Sequence, residues 1–104
     1  MLRVTSPAAG VAWKVSPALP CGNAVVAKSH ELTPYPSVAF GKVLQAAGLP
    51  PGVYSVVQGY GPEAGTPLIE DDRVGLVSFT GSVPTGKRIQ QAVSARPVLA
   101  KVCL

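Results

Sequence analysis

Leu76-Val77-Ser78-Phe79-Thr80-Gly81-Ser82-Val83-Pro84-Thr85-Gly86 is the stretch whose reading decides the fold. Its first four residues read as a buried strand, Gly81 breaks it, and a helical pattern opens at Val83. That helix is expected to run to about Ser94, with Ile89, Ala92 and Val93 on one face. A helix starting just past the carboxyl end of a parallel strand aims backbone N–H groups and a partial positive charge into the crevice there, which suits a pyrophosphate. A second strand, Ala24-Val25-Val26-Ala27, leads into Lys28-Ser29-His30-Glu31. A carboxylate placed after a strand can accept the hydroxyls of an adenosine ribose. Together the two segments predict a dinucleotide site that includes Lys28, Glu31, Gly81 and Ser82; the competing reading of Lys28 and Glu31 is a solvated strand end.

Outward from this centre, strand and helix signals alternate. Val11, Val15, Ala18 and Leu19 have helical spacing, and Gly22-Asn23 supplies a stop. Thr33 reads as an N-cap and Pro34 as the first helical residue, before Phe40, Val43, Leu44 and Ala47 at helical intervals. Gly48 takes the position after that helix, and Pro50-Pro51 prevent its continuation. Val53–Val57 is the next strand, and Gly59–Gly65 is a glycine-rich turn into a short helix near Glu63–Ile69. Asp71-Asp72 reads as a solvated connection to a strand from Gly75 to Phe79, and Val98–Cys103 as the last strand. The alternation predicts an α/β fold: a Rossmann-like parallel sheet of about four strands with flanking helices, in an incomplete domain.

A chain of 104 residues is enough for one domain, and 47% hydrophobic with 13% charged residues excludes a disordered one. The net charge of +4 raises nucleic acid as a partner. The basic residues are scattered, however, with only Lys87 and Arg88 adjacent and no aromatics interleaved for base stacking, so no nucleic-acid partner is expected. The apolar runs are too short for a membrane span, so no membrane partner is expected either. Two cysteines in this setting point to a reducing, cytoplasmic location.

Other motifs weigh less. Gly81 to Gly86 followed by Lys87-Arg88 nearly fits a triphosphate-binding loop, but Arg88 stands where a magnesium-holding Ser or Thr is needed, and Pro84 removes an N–H. Gly59-Tyr60-Gly61 begins the dinucleotide fingerprint, with Ala64 at its third position and Gly65 one place late. An ordinary strand-to-helix turn explains that segment equally well. Cys21 and Cys103 read as structural thiols, Cys21 as a small buried side chain. One His and two Cys do not assemble a metal site, so no metal ligands are predicted.

Nearly the whole chain, from about Pro7 to Leu104, resembles the cofactor-binding domain of the aldehyde dehydrogenase superfamily. The matching segments are Trp13-Lys14-Val15-Ser16-Pro17-Ala18-Leu19, Cys21-Gly22-Asn23-Ala24-Val25-Val26, Lys28-Ser29-His30-Glu31-Leu32-Thr33-Pro34 and Ala46-Ala47-Gly48-Leu49-Pro50-Pro51-Gly52-Val53. Gly59–Gly65 and Phe79–Gly86 continue in register. Val56-Val57-Gln58-Gly59 and Ser78–Gly86 look most like the betaine and trimethylaminobutyraldehyde dehydrogenases.

The resemblance implies an NAD-dependent oxidoreductase that turns an aldehyde into a carboxylic acid, with NADP less favoured because Glu31 would repel a 2′-phosphate. It implies Lys28 and Glu31 on the ribose, Gly81 and Ser82 at the pyrophosphate, and Gly61 and Gly65 toward the adenine. It also implies a homo-oligomeric parent acting on a small aldehyde. The sequence departs from the pattern at residues 1–6, where Val4 and Thr5 replace the family's Trp and catalytic Asn, and at Ser29, which replaces Pro. The resemblance places the family's catalytic Glu immediately after Leu104 and its nucleophilic Cys further on. The expectation for residues 1–104 is therefore part of a cofactor domain, with no catalytic residue and no turnover of its own. The alternatives are a non-catalytic binding or interaction module derived from the family, and a small nucleotide-binding protein of another family.

Overall fold

A computed structural model describes residues 7–104, in which helices and strands alternate. The elements are α1 (Pro7–Ala18), β1 (Val25–Lys28), α2 (Tyr35–Ala46), β2 (Tyr54–Val57), α3 (Thr66–Glu70), β3 (Leu76–Ser78), α4 (Val83–Ser94) and β4 (Lys101–Cys103). The divergence expected at residues 1–6, with Val4 and Thr5, lies outside the described residues.

The expected parallel pairing is present. β1 lies parallel to β2, from Val25 opposite Tyr54 to Lys28 opposite Val57, and β3 lies parallel to β4, from Leu76 opposite Lys101 to Ser78 opposite Cys103. The four strands form two separate pairs rather than one continuous ladder. Strands of three or four residues offer few ladder positions, and each strand bonds to its neighbour along the chain. Lys14 ties the halves together: its ammonium donates to Ser78 Oγ at 2.6 Å, so α1 is anchored to β3.

The core begins with Val11 and Val15, one helical turn apart on α1 and both buried. Around them pack Leu19, Val25, Phe40, Leu44 and Tyr54, which joins α1, α2 and the β1–β2 pair. The Phe40 and Tyr54 rings meet edge to face with centroids 6.0 Å apart, a favourable quadrupole arrangement. Phe79 and Val93 are the buried apolar residues of the second half.

α4 has the expected limits, and Gly22 and Gly48 occupy left-handed turns at φ +82° and +95°. The start of α2 differs from expectation. Pro34, not Thr33, is the cap residue, and Thr33 Oγ1 is buried without a hydrogen-bond partner among the described residues. A capping hydroxyl needs an N–H two or three residues on, and from Thr33 the third of these is Pro36, which has none. The turn before α3 is a single π-helical turn over Gly61–Gly65, closed by Thr66 N–H to Gly61 O. That displaces the helix expected near Glu63–Ile69 to Thr66–Glu70.

Candidate functional site

Lys28 is the last residue of β1 and Val57, its register partner, the last of β2, so the loops that follow share one edge of this pair. Gln58 Nε2 donates to Pro34 O at 3.2 Å and ties the two loops together. Within the first loop, Thr33 N–H donates to His30 O at 3.0 Å and Leu32 N–H to His30 Nδ1 at 3.1 Å. Ser29, the departure from Pro, is fully buried and donates its hydroxyl to Ser37 Oγ at 2.6 Å. Tyr54 OH donates to Ser37 O at 2.9 Å, and burial pushes that phenol above its ordinary pKa. The loop is thus fixed by hydrogen bonds on several sides before any ligand arrives.

The structure brings Lys28 and Glu31 together. Lys28 Nζ stands 3.7 Å from Glu31 Oε2, close enough for an ion pair and too far for a hydrogen bond. The Lys28 side chain is only 7% exposed, and among the described residues its ammonium has no hydrogen-bond partner. A buried cation without hydrogen bonds is costly, so this position is suited to an acceptor supplied from outside the chain. His30 Nε2 lies 3.8 Å from the other oxygen of Glu31. Glu31's own backbone N–H, and then the nearby His30 and Lys28, hold its carboxyl below the ordinary carboxylate range. Glu31 is therefore an anion at neutral pH, ready to accept hydroxyl hydrogen bonds.

Gly61 and Gly65 bound the π-helical turn after β2. A side chain at either would meet no atom of the described residues within 4 Å, so packing among them does not require glycine there. Gly59 does have a structural reason: φ is +138°, and a Cβ would stand 3.0 Å from Ala64 Cβ.

Ser82 is the N-cap of α4, where its Oγ accepts from Thr85 N–H at 3.4 Å and donates to Thr85 Oγ1 at 2.9 Å. Gly81 is required by packing, because a Cβ there would overlap the Phe79 ring at 2.5 Å. Gly86 is buried inside α4 with its N–H bonded to Ser82 O, a helical residue and not part of a phosphate-wrapping loop. Among the described residues no hydrogen bond or ion pair joins Gly81 or Ser82 to the Lys28–Glu31 loop.

Cys21 does not have the buried place expected of it. It lies in the turn after α1, facing water, and Cys103 is exposed as well. Among the described residues no three His, Cys, Asp or Glu side chains are placed to hold a metal ion, and no helix is long and apolar enough to cross a membrane. Two surface concavities, one lined by Gly41, Leu49 and Tyr54 and the other by Gln90, Leu99 and Val102, include none of the expected site residues. Sequence reading missed Gln58 as the clasp between loops and His30 as a neighbour of Glu31. A lone Gln after a strand carries no signal, whereas the adjacency of His30 and Glu31 could have raised the second.

Residues 5–104 match the aldehyde dehydrogenase family. The 2-hydroxymuconic semialdehyde dehydrogenase of Pseudomonas sp. strain CF600 is 51% identical over 89 residues, which are 83% of this chain and 18% of that protein. A betaine aldehyde dehydrogenase of Cereibacter sphaeroides strain ATCC 17025 is 50% identical over 82 residues, 79% of this chain and 17% of that protein. Among solved structures, an NAD-dependent benzaldehyde dehydrogenase from Corynebacterium glutamicum superposes with a TM-score of 0.81 at 38% identity, over 86% of this chain and 19% of that one. The chain thus spans less than a fifth of the length of each of these relatives. Relatives that differ in named substrate match almost equally well.

Proposed function

This chain belongs to the aldehyde dehydrogenase family, and from that premise we propose that it supplies the dinucleotide-holding part of an oxidoreductase that converts an aldehyde to a carboxylic acid. The observation that carries the reading is the buried, unbonded Lys28 ammonium beside the ionised Glu31 carboxylate. The residues present fit a nicotinamide dinucleotide. Lys28 donates to, and Glu31 accepts from, the two ribose hydroxyls. Gly61 and Gly65 leave room toward the adenine, and Gly81 and Ser82 at the start of α4 face the pyrophosphate, where a helix N-terminus favours negative charge. When bound, the nicotinamide ring would accept the hydride that leaves the substrate carbon after a nucleophile from elsewhere in the whole protein has added to the aldehyde carbonyl.

NAD is preferred over NADP, because an anion beside the 2′ position accepts a hydroxyl and repels a phosphate. The whole protein is proposed to act on a small aldehyde, as a homo-oligomer, in the cytoplasm. Two exposed, unbridged thiols support the reducing compartment.

Equilibrium titration of the chain with NAD tests the site. Glu31→Ala removes a charged acceptor and is expected to weaken binding by about tenfold or more. Equal affinity of the two proteins would remove Glu31 from the site.

A further inference from the structure

Glu31 is held at both of its oxygens. Lys28 Nζ faces Oε2 at 3.7 Å, and His30 Nε2 faces Oε1 at 3.8 Å. The imidazole is not free to choose its orientation. Nδ1 accepts the Leu32 N–H at 3.1 Å, and a nitrogen that accepts carries no hydrogen. In the neutral ring the hydrogen is then on Nε2, the nitrogen turned toward Glu31. The turn that carries the ring is itself closed by Thr33 N–H on His30 O. Because both distances exceed hydrogen-bond length, the carboxylate is suspended between two donors and keeps lone pairs for a ligand.

With His30 absent, the Glu31 carboxylate is left to its own backbone N–H and to Lys28. The carboxylate can close onto the ammonium, leaving both groups less available to ribose hydroxyls and moving the negative charge away from the 2′ position. We propose that His30 is a positioning residue that sets the preference for an unphosphorylated over a 2′-phosphorylated ribose, by holding Glu31 off Lys28. The proposal rests on the dinucleotide reading given above.

The test is an NMR titration of the chain with NAD and with NADP, following the amides from Lys28 to Thr33, in wild type, His30→Ala and His30→Gln. For a partly exposed contact of this length, the ratio of NADP to NAD dissociation constants is expected to fall about two- to fivefold in the alanine variant. It should return in the glutamine variant, whose carboxamide can accept from Leu32 and donate to Glu31. An unchanged ratio in His30→Ala overturns the role of His30 and leaves the dinucleotide site standing, as does an equal fall in both variants. Failure of wild type to bind either dinucleotide overturns the site and the inference together. A ligand-free readout is the long-range proton–nitrogen spectrum of the imidazole. It is expected to show hydrogen on Nε2, and hydrogen on Nδ1 alone would overturn the inference without touching the site.

Discussion

Gly81→Ala tests whether the glycine that opens the α4 turn is there for the ligand or for the fold. A methyl group at Gly81 would stand 2.5 Å from Phe79 Cζ, and 3.1 and 3.2 Å from Cε2 and Cε1. The ring cannot swing away cheaply. It is 3% exposed, and Cε1 lies 3.8 Å from where a side chain on Gly86 of α4 would begin. Overpacking of this kind costs about 1–3 kcal/mol. For a chain of this size that corresponds to a fall of roughly 4–20 °C in Tm. Gly75→Ala is the matched control, because Gly75 also borders β3, its φ is not left-handed, and nothing lies within 4 Å of an added Cβ. There the loss of backbone freedom in the unfolded chain should leave stability unchanged or raise it by about 0.4–1 kcal/mol. Thermal and urea unfolding followed by circular dichroism read both variants. If the two alanine proteins unfold at the same midpoint, Phe79 does not dictate glycine at residue 81.

Two further perturbations probe buried polar contacts. Ser29→Ala or Ser37→Ala alone strands a buried hydroxyl and should cost about 1–3 kcal/mol, while the double variant should cost clearly less than the sum; strict additivity in a double-mutant cycle would deny the coupling. Burial lowers the Lys14 pKa from 10.5, with the nearby Cys103 opposing that shift, so between the folded value and 10.5 the unfolded chain binds more protons and stability rises with pH. Lys14→Met should abolish that rise, read from urea midpoints up to pH 10.5, and parallel pH profiles for the two proteins would contradict it.

The sequence carries what is local. Ser82 caps α4 where a Ser before Val83-Pro84 should, and the Gly22 and Gly48 turns take the left-handed conformation that stop signals demand. Lys28 and Glu31 are legible as a pair because they follow one strand three positions apart. What the sequence hides depends on distant partners. Thr33 is a good cap by type and is defeated by Pro36. Cys21 has the hydrophobic character of a core residue, yet the turn that carries it projects into water. Nothing beside Lys14 in the sequence signals its partner, and only the folded chain brings Ser78 within 2.6 Å of it. Glycine is the most ambiguous letter. Gly59 and Gly81 answer to neighbouring side chains, Gly61 and Gly65 do not, and spacing alone treats them alike.

That division separates the candidate site into two parts with different supports. The loop that carries Lys28 and Glu31 draws its hydrogen bonds from β1, α2, β2 and the residues between them: Ser29 to Ser37, Tyr54 to Ser37, and Gln58 to Pro34. The turn into α4 rests on the other half, through Phe79 beneath Gly81 and the β3–β4 pair. Lys14 crosses between them with a single side-chain bond. One partly buried hydrogen bond contributes only about 1 kcal/mol, so the halves are joined more weakly by that link than each is held within itself. Damage at Gly81 should therefore loosen the α4 turn while Lys28, His30 and Glu31 keep their mutual geometry. A dinucleotide that bridged both parts, as proposed, would gain from a connection the chain makes only thinly, and its binding would then be linked to the docking of the two halves.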